Sequence, residues 1–168
     1  MILVEHDYDH LDVEAARTAL AATGATVHIV GPIQGHVYRS RTGQQIAAEL
    51  AASAVRAADV DAVVIPGGYA ADRIRLRHAM VDLVRDAVEA GKPVAAIDHG
   101  PSVLINARAL GGRMITCWPS IAVDAKNAGA RYAERPGVED RGISTARKSD
   151  DLPRFTEAII RQLLAKLV

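Results

Sequence analysis

The run Pro93-Val94-Ala95-Ala96-Ile97-Asp98-His99-Gly100-Pro101 sets a carboxylate and an imidazole side by side at the end of a short apolar segment. The apolar residues have strand character and the Gly-Pro pair can open a helix, so Asp98 and His99 fall on a tight strand-to-helix turn. A side chain there projects into the crevice above the carboxyl end of a sheet, beside helix N–H groups that attract anions. The chemistry on offer is proton transfer by Asp98 or, less directly, ester formation with Asp98 as nucleophile. A second apolar run, Val60 to Ile65, closes on Pro66-Gly67-Gly68. Gly67 and Gly68 permit positive φ and let backbone N–H groups approach a ligand, which makes them candidates for holding a polarised oxygen. Trp118 reads as a pocket wall, and the lone Cys117 beside it as a small buried hydrophobe. His6, Asp7, Asp9 and His10 are metal-ligand types in one polar loop, but they lack helical spacing and a third histidine, so no metal is assigned.

These residues need elements to position them. Met1 to Val4, Ala25 to Val30, Val60 to Ile65, Val94 to Ile97 and Met114 to Thr116 read as strands, with two or three short ones between 130 and 146. Residues 33 to 46 suggest a small hairpin. Helices are expected where Val13, Ala16 and Leu20 recur before Gly24, over 47 to 58, from about Ala70 to Ala90, over 101 to 110, from Pro119 to about Asn127, and from Asp151 onward through Phe155, Ile159, Ile160, Leu163, Leu164 and Leu167. Strands and helices alternating at this length give an α/β sandwich with a mostly parallel sheet. Its strand ends would line up the 5–10 loop, Gly67-Gly68, Asp98-His99 and Cys117-Trp118 along one rim.

Composition narrows the function. The 168 residues fit a single domain, 1–168, and twenty basic residues balance twenty acidic ones, so nothing marks a nucleic-acid partner. No apolar run reaches bilayer length and one cysteine allows no internal disulfide, so the expectation is a cytoplasmic protein with a small-molecule substrate.

Val63-Val64-Ile65-Pro66-Gly67-Gly68, Gly91-Lys92-Pro93-Val94-Ala95-Ala96-Ile97, His99-Gly100-Pro101, Trp118-Pro119, Asn127-Ala128-Gly129 and Asp150-Asp151-Leu152-Pro153 together resemble the ThiJ/PfpI superfamily, most of all its PfpI-type intracellular proteases. The resemblance runs almost end to end. It implies a flavodoxin-like three-layer sandwich, a nucleophile elbow, an oxyanion pocket near Gly68 and His99, and a homo-oligomer, dimer or hexamer, in which an acidic residue matching Asp72 completes a neighbour's site. Two departures redirect the chemistry. The family motif Ala-Ile-Cys-His-Gly-Pro carries a nucleophilic cysteine where this chain has Asp98. The family's pocket glutamate, in a Glu-Asp-Val-Glu run, matches Leu11 of Leu11-Asp12-Val13-Glu14 without a gap. With Cys alone replaced, Asp98 would face a second carboxylate and one of the two would take up a proton. Leu11 is expected to remove that clash and wall the substrate pocket, while desolvation raises the Asp98 pKa and nearby N–H groups lower it, a balance the sequence leaves open.

The reading that follows is a cofactor-independent enzyme of hydratase, lyase, isomerase or cyclase type, hydro-lyase by preference, in bacterial specialised metabolism, with catalytic Asp98, His99 and Asp72 and with Leu11, Gly67, Gly68 and Trp118 around the substrate. One alternative is a peptide or acyl hydrolase using water activated by Asp98 and His99. Another is a non-catalytic binding or stress-response protein in which Asp98 imitates an oxidised cysteine.

Overall fold

The computed structural model describes residues 1–166, and Leu167 of the expected closing helix lies outside them. In chain order the elements are β1 (Ile2–Leu3), α1 (His10–Ala21), β2 (Ile29–Gly31), β3 (Val37–Arg39), β4 (Gln45–Ala47), β5 (Leu50–Ala51), β6 (Val63–Ile65), α2 (Ala70–Ile74), α3 (His78–Glu89), β7 (Val94–Ile97), α4 (Pro101–Asn106), β8 (Met114–Ile115), α5 (Ala122–Asn127), β9 (Arg131–Tyr132), β10 (Gly137–Asp140), β11 (Ile143–Ala146) and α6 (Leu152–Lys166). Seven strands form the main sheet in the order β10-β11-β7-β6-β1-β2-β5, parallel except for the β10–β11 hairpin. The strand leading to Asp98 is therefore interior, with Val94 paired to Val63 on one side and Ile143 on the other.

All four residues of β7 are buried because both sheet faces are covered. Val94 and Ala96 pack with Met80, Leu83, Val84, Val103 and Leu104 of α3 and α4. Ala95 and Ile97 point the other way, into a cluster with Val13, Ala16 and Leu20 of α1 and Phe155, Ile159 and Leu163 of α6. Alternate side chains of a strand must face opposite layers, and the two clusters are those layers.

Two segments differ from the sequence pattern. The alanine-rich stretch 47–58 is not helical: Leu50 pairs with Val30 to extend the sheet edge, and two 3₁₀ turns follow. Pairing with an exposed strand overrides a modest alanine preference. The single helix expected from Ala70 to Ala90 breaks at Arg75–Arg77 into α2 and α3, leaving Leu76 80% exposed. The hairpin between 33 and 46 is present as β3 and β4.

The elbow depends on one glycine. A β-carbon on Gly100 would lie 2.6 Å from the Ile65 carbonyl oxygen and 2.8 Å from that of Ile97, both backbone atoms of interior strands. Gly100→Ala is expected to destabilise the protein by about 3 kcal/mol, the upper range for overpacking, read as a lower urea midpoint at unchanged m-value. A midpoint within error of wild type would contradict this packing.

Candidate active site

Asp98 follows β7 with φ of 61°, a left-handed conformation that few residues other than glycine adopt, though aspartate tolerates it better than most. Its neighbours hold it there. The Asp98 N–H donates to the Ala146 carbonyl at 3.1 Å, its carbonyl accepts the Trp118 N–H at 2.9 Å, and the Gly100 N–H closes the turn on Ile97 at 2.8 Å. Backbone strain of this kind, about 1–3 kcal/mol, persists where the surroundings over-determine it and aims a side chain.

The side chain points at the glycine pair. Asp98 Oδ2 accepts the Gly68 N–H at 3.0 Å and lies 3.0 Å from His99 Nδ1. Burial pushes the Asp98 carboxyl up, but the His99 ring and the N–H groups of Gly68 and His99 outweigh it and hold the carboxyl below its ordinary value. Asp98 is accordingly ionised near neutral pH, and a carboxylate can only accept, so His99 Nδ1 carries the shared proton. Gly68 has φ of +80°, which turns its N–H toward Asp98.

A second carboxylate stands beside the first, and it belongs to Asp12. Asp9 caps α1 by accepting the Leu11 and Asp12 N–H groups at 3.0 and 3.3 Å, which starts the helix early enough to turn Asp12 inward with Val13, Ala16 and Leu20. Leu11 is 62% exposed and borders an outer depression with His10 and Gln44. The expectation that Leu11 walls the Asp98 pocket and removes a carboxylate clash is thus corrected: helix register supplies the clash from the next residue. A β-carbon on Gly67 would lie 2.6 Å from Asp98 Oδ2 and 2.8 Å from Asp12 Oδ2, so both acids crowd one glycine and only glycine fits.

Asp12 is fully buried, its Oδ2 accepting the Gly67 N–H at 2.9 Å and its Oδ1 the Ser149 hydroxyl at 3.1 Å. Burial, reinforced by the Asp9 charge and more weakly by that of Asp98, pushes its pKa up to about 7 against the pull of Gly67 and Ser149. One acid is ionised and the other poised to hold a proton. Because Ser149 favours the ionised form, Ser149→Ala is expected to raise the Asp12 pKa above that value, checked by a ¹³C-carboxyl titration of labelled aspartate; an unmoved titration would separate Ser149 from Asp12.

Asp98 opens on a 410 Å³ pocket walled by Tyr69, His99 and Trp118, with Arg41, Lys148 and Ser149 around it, and buried Asp12 meets that pocket only through its hydrogen bond from Ser149. Trp118 lies in offset stacking on His99, 6.0 Å between ring centres. Gly68, Asp98, His99 and Trp118 are thus brought together, and Gly67 adjoins them. Asp72 is not: its carboxylate is 80% exposed on α2, 3.9 Å from Arg75, facing outward near Tyr69 and Leu76. Asp12 and Ser149 are the functional candidates that the sequence reading missed. A signal existed for Asp12, an acid four residues before Ala16 and eight before Leu20 on the buried stripe; none existed for Ser149, which lies 137 residues from its partner. Cys117 is buried in the core, its thiol pushed up to about 12 by burial and by Asp124 and Asp98, so it remains protonated. In the polar loop, Asp7 pairs with Arg73 at 2.6 Å, Asp9 with Arg41 at 2.8 Å, and His6 Nδ1 accepts the Arg39 N–H.

A flavodoxin-like sandwich with a strained acidic residue at a strand-to-helix elbow, facing a glycine pair across the sheet crevice, defines the class of protein. The DJ-1/PfpI family profile matches residues 1–162, and the chain belongs to that family. It is 37% identical over 163 residues to a protein of Archaeoglobus fulgidus, covering 97% of this chain and 96% of that one. It is 31% identical over 164 residues to protein/nucleic acid deglycase 2 of Escherichia coli, covering 96% and 95%. Among solved structures, a two-domain Anabaena variabilis protein with DJ-1/ThiJ/PfpI-like and ferritin-like domains superposes with a TM-score of 0.94 at 36% identity, covering 96% of this chain and 47% of that one. The chain therefore spans about half of that protein. Enzymes occur among these relatives, and no helix among the described residues is long and apolar enough to cross a membrane.

Proposed function

We propose that this protein is a cofactor-independent acid/base enzyme of hydratase or lyase type acting on a small polar molecule. The observation that carries the reading is the Asp12–Asp98 pair, two carboxylates that converge on one face of Gly67 and whose surroundings push their pKa values apart. Opposite displacement of neighbouring acids assigns one as proton donor and the other as acceptor. In the dehydrating direction ionised Asp98 takes a proton from carbon. The departing hydroxyl takes the Ser149 proton, which Asp12 replaces, and leaves as water; the pair then redistributes its one proton. Hydration runs the same steps backwards. His99 fixes the Asp98 carboxylate, and Asp72, facing outward, is available to a second copy in a homo-oligomer.

Acyl or peptide hydrolysis is less well supported, because the Gly68 N–H that would stabilise an oxyanion is donated to Asp98. The same contact favours a second reading, a binding protein in which Asp98 fills the N–H pocket as an oxidised cysteine would. The name of the E. coli relative adds glycated amines to the compounds worth testing. A mass-spectrometric product screen decides between these readings, run on wild type, Asp98→Asn and Asp98→Cys with isonitriles, 2-oxoaldehydes, hydroxy acids, enoates, glycated amines and peptides. Turnover by wild type that disappears in Asp98→Asn is the expected result. Turnover appearing only in Asp98→Cys would favour the binding reading instead.

A further inference from the structure

The charges of the pocket are graded by exposure, the Asp98 side chain being 19% exposed and those of Arg41 and Lys148 50% and 46%. Its floor is the ionised Asp98, to which Gly68 N–H and His99 Nδ1 are already committed, so the floor repels an anion. Its cations stand at the mouth and differ in how firmly they are held. Arg41 lies 2.8 Å from Asp9, a carboxylate only 15% exposed that also caps α1, so drawing Arg41 away disturbs the helix start beneath the site. Lys148 lies 2.8 Å from Asp150, whose side chain is 77% exposed. Such a surface pair binds its members weakly, and a flexible ammonium can exchange that partner for a ligand with little loss. The Ser120 hydroxyl and the Trp118 indole line the same pocket.

We infer that the pocket takes a small organic carboxylate in one orientation, its anionic end on Lys148 and its reacting end toward Asp98, with the hydroxyl on Ser149. A carboxylate at the floor would meet Asp98, and an ammonium at the mouth would meet Arg41 and Lys148. Short hydroxy acids satisfy both ends. This inference rests on the acid/base reading for the identity of the reacting end, whereas the orientation itself requires no turnover. Lys148 is a specificity-determining residue in this arrangement, since it selects for charge and takes no part in proton transfer.

Trp118 is the only tryptophan of the chain and lies in the pocket wall, so its fluorescence reports occupancy directly. The test is a titration with 3-hydroxybutyrate and with the neutral isostere 3-hydroxybutyramide. Wild type is expected to bind the carboxylate about tenfold more tightly than the amide, with added KCl weakening only the carboxylate. Lys148→Ala should reduce this preference to near one and Lys148→Arg should retain it, with unchanged thermal melts showing that both variants fold. Equal binding of the two probes by wild type, failure of both to bind, or a preference that survives Lys148→Ala overturns the inference. A carboxylate preference that persists while no hydroxy acid or enoate is turned over would sink the acid/base reading alone.

Discussion

Asp98→Asn is expected to lower turnover about 10³-fold, within the range for loss of a positioned acid or base, and Asp12→Asn to lower it by a similar factor. The double variant should be no slower than the slower single one. Asparagine keeps the volume of Asp98, can still accept the Gly68 N–H, and tolerates the left-handed φ of 61° about as well as aspartate, so the elbow should survive the change. What disappears is the charge, and with it the cycle in which one carboxyl gives a proton while its neighbour takes one. Once either partner is an amide the other has no counterpart, and effects of residues acting as a unit do not add. The measurement is kcat/KM for the four proteins on whichever substrate the product screen identifies. Fully additive losses would mean that the two acids work separately, and wild-type turnover by Asp98→Asn would remove Asp98 from the chemistry.

What the sequence could and could not disclose about this site has a physical basis. The elbow at Asp98 is local: four small apolar residues, an ionisable pair and Gly-Pro occupy one continuous stretch, and strand ends in parallel sheets bring such stretches to a common rim. The Gly67-Gly68 turn is legible for the same reason. The partner of Asp98 depends instead on helix phase. An ungapped match selects Leu11, whereas the cap at Asp9 rotates α1 so that Leu11 faces solvent and Asp12 the sheet. One residue of register is about 100° around a helix, enough to exchange an apolar wall for a buried acid. The sign of the Asp98 shift likewise depends on distances: burial favours a neutral carboxyl, and three hydrogen-bond donors reverse that preference only because they converge on one group. Ser149 comes from the far end of the chain, and no local pattern announces it. The break between α2 and α3 is equally silent, since residues 75–77 hold no glycine or proline to mark it.

The stability that Asp12 contributes is expected to fall as pH rises from about 4 to about 7, and Asp12→Asn to remove that component. Folding raises the Asp12 pKa from 3.8 to about 7, so the native state binds this proton more tightly than the unfolded chain does. The resulting stabilisation is fully present below the unfolded value and is lost as pH climbs through the folded one. Asp98 has the opposite sign, because its folded pKa lies below its ordinary value; its contribution is retained throughout this window and is lost only in stronger acid. About three pH units of displacement correspond to at most about 4 kcal/mol. An asparagine at position 12 can accept from the Gly67 N–H with its oxygen and donate to Ser149 with its amide, which keeps both contacts without a charge to bury. Urea midpoints at pH 5, 6, 7 and 8 test this as a difference, because the buried Met1 ammonium, lowered to about 6, makes both proteins gain stability between pH 6 and 8: wild type should lose stability relative to Asp12→Asn across the series and be the less stable protein at pH 8. A constant difference between the two proteins would mean that Asp12 is ionised throughout, and the proton assigned to it in catalysis would have no holder. The site and the fold therefore pull against each other at one residue, since the burial that makes Asp12 a usable acid near neutrality is the burial that weakens the protein once that proton is gone.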